Sequence, residues 1–522
     1  MCGDITSDRT IVASKTNILS CQTFVKSGAV LTIEAGTTIW AMPVGPTAIT
    51  PPTLIVEPGG RIVAAGTATA PITFTAFNAE QSSTSTAVTD TNAAVQTTVL
   101  ETRGKWGGLI ILGRAPTSAA TPKEIEGIAG ITYGGTNPAD NSGTLQYVRV
   151  WHGGAAIAAD NEINGITFGG VGSGTVVDHC EVAFNVDDGF EFFGGTVNVK
   201  YLSVLFVGDD AFDSDEGYQG KGQFLFAMLG DNGNHGTEMD SKTGGNKDSQ
   251  PRSHPAFWSM TIIGGGTAST RGSSNALMRL REGTGGSFGN VILANAEGTH
   301  VGVEIKDCGS EQRTQTPQAA SVSIGTTGQA SSGYLYFSNK NVIQAPSTAF
   351  TFDVANGCTD GAFTSVDADP GFTGTFTEAG TDRIDPRPSC GSAAYVDIEP
   401  LPAGNSFYDV VGFKGAFGNV NWLSGWGYLA VSNRLATHEL NCQPVTAAAP
   451  SPAPSNNPPI VQSIVDATGV PGWGVVLFVV VALLLLVVCL FVCVMIQREK
   501  VQKPIFMSFD ASKAVDRRKD TV

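Results

Sequence analysis

Six acidic residues stand out as groups able to do chemistry. Asp187, Asp188 and Glu191 recur as Asp209, Asp210 and Asp213, each 22 residues further on, and Phe190 recurs as Phe212. Asp215 and Glu216 extend the second copy, while Lys200 is the only basic residue between Glu181 and Gly220. Crowded carboxylates without basic partners repel unless something offsets the charge. The offset comes from solvent, from a raised pKa or from a hard cation with oxygen ligands. The same groups are the residue types that general acid and base catalysis uses.

A 22-residue period implies a solenoid in which one repeat is one coil. Between the two acidic copies lies Val197-Asn-Val-Lys-Tyr-Leu-Ser-Val-Leu-Phe-Val207, rich in β-branched and aromatic residues and without a helical period. Equivalent residues of stacked coils lie about 4.8 Å apart, and side chains alternate faces along a strand. With Phe190 and Phe212 inward, two outward ladders are predicted: Asp187 over Asp209 and Glu191 over Asp213. These four carboxylates are the expected ligands of a divalent ion, with Ca2+ the leading choice. The bland alternative is a solvated acidic face.

Repeats occur elsewhere. Ile33-Glu34-Ala35-Gly36 aligns with Val56-Glu57-Pro58-Gly59 at an offset of 23, as in successive coils. Trp106–Gly113, Leu145–Trp151, Phe257–Ile263, Ala276–Leu280 and Val291–Leu293 read as strands. Glu80–Thr98 and Pro116–Asp140 read as excursions, and Asp231–Arg252 and Gly309–Gly333 as loops. The aromatic segment Phe407–Leu429 is expected to close one end of the stack, since terminal repeats need capping.

The composition fits a β-rich chain with many turns: 64 of the 522 residues are glycine. A net charge of −16 argues against a nucleic-acid partner. Val475–Ile496 is 22 residues without a charge, long enough to span a bilayer. The last 26 residues hold seven Lys/Arg against four Asp/Glu, and no Lys or Arg lies between Ala447 and Gly474. The positive-inside rule then places the tail in the cytoplasm and the rest outside. The expected organisation is an ectodomain over 1–445, a Pro-rich stalk over 446–472, a membrane helix over 473–496 and a basic tail over 497–522. This topology needs an N-terminal signal, which Met1–Arg9 lacks, so the true start is expected upstream.

Seven cysteines precede the span and two lie within it. Cys2/Cys21, Cys308/Cys358 and Cys390/Cys442 are plausible pairs, although order alone leaves the connectivity open. Cys180 is the odd one and reads as a buried core residue.

Several segments carry a resemblance. They include Arg103-Gly-Lys-Trp-Gly-Gly-Leu-Ile-Ile-Leu-Gly113, Asp160-Asn-Glu-Ile-Asn-Gly165, Asp187-Asp-Gly-Phe-Glu191, Gly208-Asp-Asp210, Asp385-Pro-Arg-Pro388 and Trp422-Leu-Ser-Gly-Trp426. Together they resemble right-handed parallel β-helix proteins of the pectin-lyase-like fold, mostly surface lipoproteins and secreted proteins. The resemblance implies an all-β solenoid over about residues 3–430 and little about activity. Asn185-Val-Asp187 with Gly208-Asp209-Asp210 is also similar to motifs of polygalacturonase-type glycoside hydrolases. That likeness implies catalytic roles for Asp187, Asp209 and Asp210, with His235-Gly236 and Arg279-Leu-Arg281 as further partners. A pectate-type lyase would instead need calcium and a base, for which Lys200, Lys221 and Arg279 qualify by type. Binding or adhesion, to extracellular polysaccharide or to a surface protein, is the leading expectation. A polysaccharide-degrading enzyme and a purely structural surface component are the rivals.

Overall fold

The computed structural model describes residues 1–442 except 45–49, 78–102, 120–121, 158–161, 231–232, 242–245, 266–275, 296–300, 316–332, 345–347, 360–362, 377–381 and 403–405. These residues fall in one unit, Met1–Ala448. The expected excursion over Glu80–Thr98, the stalk, the membrane span and the basic tail lie outside the described residues. Among the described residues no helix is long and apolar enough to cross a membrane.

Two large parallel sheets wind through the chain as a β-helix. The first has 11 strands, from Gly3–Ile5 through Leu54–Val56, Leu109–Leu112, Ile166–Gly169, Phe190–Phe193, Phe212–Asp215, Thr237–Met239 and Ala276–Arg281 to Val301–Lys306 and Thr348–Phe352. The second has 16 strands, including Gly143–Trp151, Val176–Ala183, Asn198–Leu205, Lys221–Met228 and Ala256–Ile263. Successive strands of the first sheet belong to successive coils, so that sheet stacks the same side of each coil; the second sheet takes in two sides, since Gly143–Trp151 pairs with both Arg61–Ala65 and Ile72–Ala76. Three disulfides join Cys2–Cys21, Cys308–Cys358 and Cys390–Cys442, and Cys180 is a buried free thiol.

Alternation sorts the first sheet into two populations. Leu54, Leu109, Ile166, Phe190 and Phe212 point into the main core, as do Val56, Ile111, Phe168 and Phe192. Their rings stack from coil to coil, Phe168 on Phe192 at 5.4 Å and Phe190 on Phe212 at 5.9 Å. The residues between them form one outward column: Phe24, Ile55, Ile110, Thr167, Glu191, Asp213, Glu238, Arg279 and Glu304 lie in direct register. The column begins apolar, turns acidic and ends in an ion-paired lattice. Its apolar part is covered by the Pro116–Asp140 excursion. There Ile125, Ile128 and Tyr133 pack on Ile55, Ile110 and Leu112, and Lys123–Glu124 pairs antiparallel with Thr132–Tyr133.

The second sheet bends within its long strands. Tyr147, His179, Tyr201 and Phe224 occupy the bend in successive coils with φ of 48°, 51°, 54° and 60°. The left-handed region is costly for bulky residues. Here it is offset by ring stacking, with centroids 4.4, 4.2 and 4.7 Å apart along the ladder.

Several sequence expectations need correction. The offset of 23 does not join neighbouring coils: Val56 pairs with Val25, and Ile33 pairs with Ala64 in the other sheet. Strand ends in both sheets share an apolar residue followed by a glycine turn, so different corners of a coil look alike in sequence. Asp231–Arg252 and Gly309–Gly333 are not all loop, since Thr237–Met239 is a strand of the first sheet and Gln312–Thr314 pairs with Tyr334–Phe337 in the second. Finally, Phe407–Leu429 does not close an end. Phe417, Leu423, Trp426 and Leu429 lie against Trp151, Phe184, Phe206, Phe226 and Ile263, which belong to successive coils of the second sheet. The segment is a lateral strap, and it covers an outward aromatic face that would otherwise meet water.

The strap is fastened by buried charges. Glu181 accepts hydrogen bonds from Trp151 Nε1 at 3.1 Å, Ser203 Oγ at 3.2 Å and the Tyr428 backbone N–H at 2.7 Å. Its register neighbour Arg149 donates to Thr73 Oγ1 and, at 2.9 Å, to the Trp426 carbonyl.

Candidate functional site

The acidic residues sit where the first sheet's outward column meets the turn that precedes it. Glu191 lies over Asp213 in direct register, as the 22-residue spacing predicts. Asp187, Asp188 and Asp209 each bring one carboxylate oxygen within 4.8 Å of the others, and so do Asp188, Asp210 and Asp213. Coil stacking at this turn is tight. A Cβ at Gly208 would lie 1.9 Å from the Val186 carbonyl oxygen, so only glycine admits the chain just before Asp209.

Two of the acids are also structural. Asp188 Oδ1 accepts the Asp210 backbone N–H at 2.8 Å, and Asp210 Oδ1 accepts the His235 N–H at 2.5 Å. Each carboxylate thereby ties its own turn to the next coil. Asn185 holds the turn from below, donating to the Asp188 carbonyl at 2.9 Å and to that of Ile163 at 3.1 Å.

The ladder was expected to face solvent. It points away from the core, yet much of it is shielded: Asp188, Glu191 and Asp210 are buried, and Asp187, Asp209 and Asp213 are part-exposed. Electrostatics follow from this. Burial, then the charge of Asp209, pushes the Asp187 carboxyl up to about 8. Burial also holds Asp188, Glu191, Asp210 and Asp213 well above the usual carboxylate range, reinforced chiefly by Asp187, Glu126, Asp209 and Glu191 respectively.

Cations reach the patch at its far side. Lys123 pairs with Glu216. Arg279 bridges Glu238 at 3.0 Å and Glu304 at 2.6 Å, and Arg281 meets Glu238 and Asp240, both at 2.7 Å. Among the described residues no side-chain cation pairs with Asp187, Asp188 or Asp209. Lys200 and Lys221 do not approach either, because their strands belong to the second sheet, where Lys200 pairs with Asp409 at 2.8 Å. His235 is fully buried, and its Nδ1 lies 2.7 Å from Asp210 Oδ1.

The donor set at Asp187, Asp188 and Asp209 is oxygen only, which fits a hard divalent ion such as Ca2+. Orphaned buried atoms nearby point the same way. Asp213 Oδ1 has no hydrogen-bond partner, nor does the Oδ1 of Asn164, whose Nδ2 donates to Glu191. Asp210, His235 and Glu238 also converge, but Glu238 is already neutralised by Arg279 and Arg281.

Sequence reasoning found Asp187, Glu191, Asp209, Asp210 and Asp213, and named His235 and Arg279. It missed Glu238 and Asp240, which lie in the stretch read as loop, and Tyr133, which arrives from the excursion. Trp151, Trp258 and Trp426 are buried and serve packing. His152 is buried against Phe184, with Nδ1 3.0 Å from Thr75 Oγ1.

Comparison with curated proteins and with solved structures found no match. Residues 3–364 match a family model described as a pectate-lyase like beta helix domain. That stretch is well over half of the chain and contains every strand of the acidic column, so the protein belongs to the pectate-lyase-like β-helix family.

Proposed function

We propose that this protein is a surface-displayed β-helix that binds acidic extracellular polysaccharide through divalent ions held at the Asp187–Asp188–Asp209 turn, beside Glu191 and Asp213. The carrying observation is the excess of carboxylates at the Asp187–Asp188–Asp209 turn, which no side-chain cation offsets among the described residues. A divalent ion there neutralises the patch and leaves coordination positions for the carboxylates of a polyanion, which the bare acidic face would repel. Display at the membrane rests on the 475–496 span and the basic tail, with the ectodomain outside. Protease added to intact cells is then expected to remove the ectodomain and spare a tag at Val522.

The test is a glycan array probed with the full-length protein in calcium and in chelator. Calcium-dependent retention of uronic-acid polymers supports the proposal. Equal binding in chelator, or retention of protein partners alone, refutes it.

One observation favours a second reading, that of a glycoside hydrolase. Coil stacking brings His235 onto Asp210, with Arg279 in the adjoining coil. Against it, Asp187 and Asp209 approach within 4.8 Å, closer than the roughly 6.5–9.5 Å that leaves room for water in inverting hydrolysis. Arg279 and Arg281 are also engaged by Glu238, Asp240 and Glu304. Release of reducing ends from polygalacturonate, abolished by Asp210→Asn, would establish the hydrolase.

A further inference from the structure

The chain contains three Asn-Gly steps, Asn164-Gly165, Asn232-Gly233 and Asn356-Gly357. In such a step the amide nitrogen after the asparagine can attack the side-chain carboxamide, because glycine has no Cβ to crowd the approach. The fold decides whether it does so, through access to the carboxamide and through any acceptor that holds the amide nitrogen. Asn232 lies outside the described residues. The other two steps differ in both respects.

Asn164-Gly165 is closed. Asn164 is 2% exposed, and its Nδ2 donates to Glu191. The Gly165 N–H donates to the Asp188 carbonyl at 2.9 Å, tying its coil to the next. Glycine stands there for packing, since a Cβ would lie 2.3 Å from Val182 Cγ1 of the second sheet.

Asn356-Gly357 is open. Both residues are exposed, and they follow the first-sheet strand Thr348–Phe352. Asn356 ends the short helix Val354–Asn356, and Gly357 caps it with a φ of 87°. A Cβ at Gly357 would meet nothing closer than the Cys308 carbonyl oxygen at 3.6 Å, so glycine serves the left-handed φ rather than packing. The N–H groups on either side, of Asn356 and Cys358, both donate to the Asp353 carbonyl at 3.1 Å, whereas that of Gly357 has no acceptor among the described residues. Asn356 Nδ2 donates to Asp353 Oδ2 at 2.8 Å, which keeps the carboxamide close to its own turn.

We propose that Asn356-Gly357 is a site of spontaneous deamidation and that Asn164-Gly165 is protected from it. The Gly357 nitrogen loses its proton and bonds to Asn356 Cγ. The Cγ–Nδ2 bond breaks, and the nitrogen leaves as ammonia. Water then opens the cyclic imide at either carbonyl, giving aspartate or isoaspartate. Either product puts a carboxylate where a donor faced Asp353, so the turn loses a hydrogen bond and gains a like-charge contact. Asp353 ties this turn to the coil before it, its N–H donating to the Ile305 carbonyl at 2.9 Å. The modification therefore loosens the end of the first sheet.

The test is incubation of the purified full-length protein in mildly alkaline buffer, with a urea-denatured sample alongside and peptide mass spectrometry of both over time. The Asn356 peptide is expected to gain the mass of an NH2-to-OH exchange, as a mixture of aspartate and isoaspartate. Its rate in the folded protein is expected within about tenfold of the denatured rate, whereas Asn164 reacts only through opening and should be slowed by more than about a hundredfold. Asn356→Gln, an exposed substitution, is expected to abolish the change in its peptide. An amide that persists at Asn356 in the folded protein while the denatured chain reacts there overturns the proposal. So does a product that is aspartate alone, or an Asn164 that keeps pace with Asn356.

Discussion

Replacing Asp209 by Asn tests the acidic turn most directly. Asp187 and Asp209 come from adjacent coils, with carboxylate oxygens within 4.8 Å. Two full charges at that distance repel by about 3.5 kcal/mol at an effective dielectric near 20. Without metal the protein avoids this cost by keeping a proton. With the Asp187 carboxyl pushed up to about 8, about nine molecules in ten are protonated there at pH 7. That proton is itself held at a cost, since the unfolded chain releases it, so Asp209→Asn should raise metal-free stability by up to about 2 kcal/mol at pH 7 and up to about 3 kcal/mol at pH 9. In calcium the balance reverses. A ligand at a hundredfold excess over Kd stabilises the wild type by about 2.7 kcal/mol, and the variant should lose most of that gain. Thermal melts of the full-length protein in chelator and in millimolar calcium, each at both pH values, read all four states. A wild-type melting temperature indifferent to calcium, or a variant that responds to calcium as the wild type does, would sink the metal reading.

Further outcomes follow from the same structure. In chelator, stability should fall as pH rises from about 4 towards 8, because Asp187 binds its proton more tightly in the folded state than in the unfolded chain; urea titrations across that range measure the slope, and a flat profile would exclude the raised pKa. Glu181→Ala should cost about 3 kcal/mol, since it removes the buried acceptor of the Trp151 indole and of the Tyr428 backbone N–H. The same variant should loosen the strap, which hydrogen exchange at Trp426–Leu429 would report. Removing Cys308–Cys358, with its sequence separation of 50, should cost up to about 4 kcal/mol on the loop-entropy estimate, with retained secondary structure by circular dichroism.

The 22-residue spacing of Asp187–Glu191 and Asp209–Asp213 was enough to establish the coil and the Glu191–Asp213 contact. In stacked parallel strands, equal spacing along the chain becomes vertical register, and strand parity decides which side chains share a face. The inward Phe190 and Phe212 were legible for the same reason. All three disulfide pairs were anticipated too, the first because Cys2 and Cys21 are close to one coil apart. What the chain order does not encode is which corner of a coil a glycine turn occupies. The Ile33 and Val56 turns look alike for that reason, yet they lie in different sheets.

Solvent exposure was likewise beyond sequence, because it depends on segments that return from far away. The excursion carrying Lys123 and Tyr133 arrives beside Glu216 and Phe193 and shields a ladder expected to be wet. The strap from Phe407 to Leu429 has the aromatic composition of a cap, but composition does not specify which apolar surface it covers. That choice was made by the outward aromatic rungs of the second sheet and by the buried Arg149 and Glu181, whose partners at Trp426 and Tyr428 lie almost 280 and 250 residues away. Local periodicity determines a coil. Burial and charge neutralisation are sums over everything that packs there, and only the tertiary structure performs that sum.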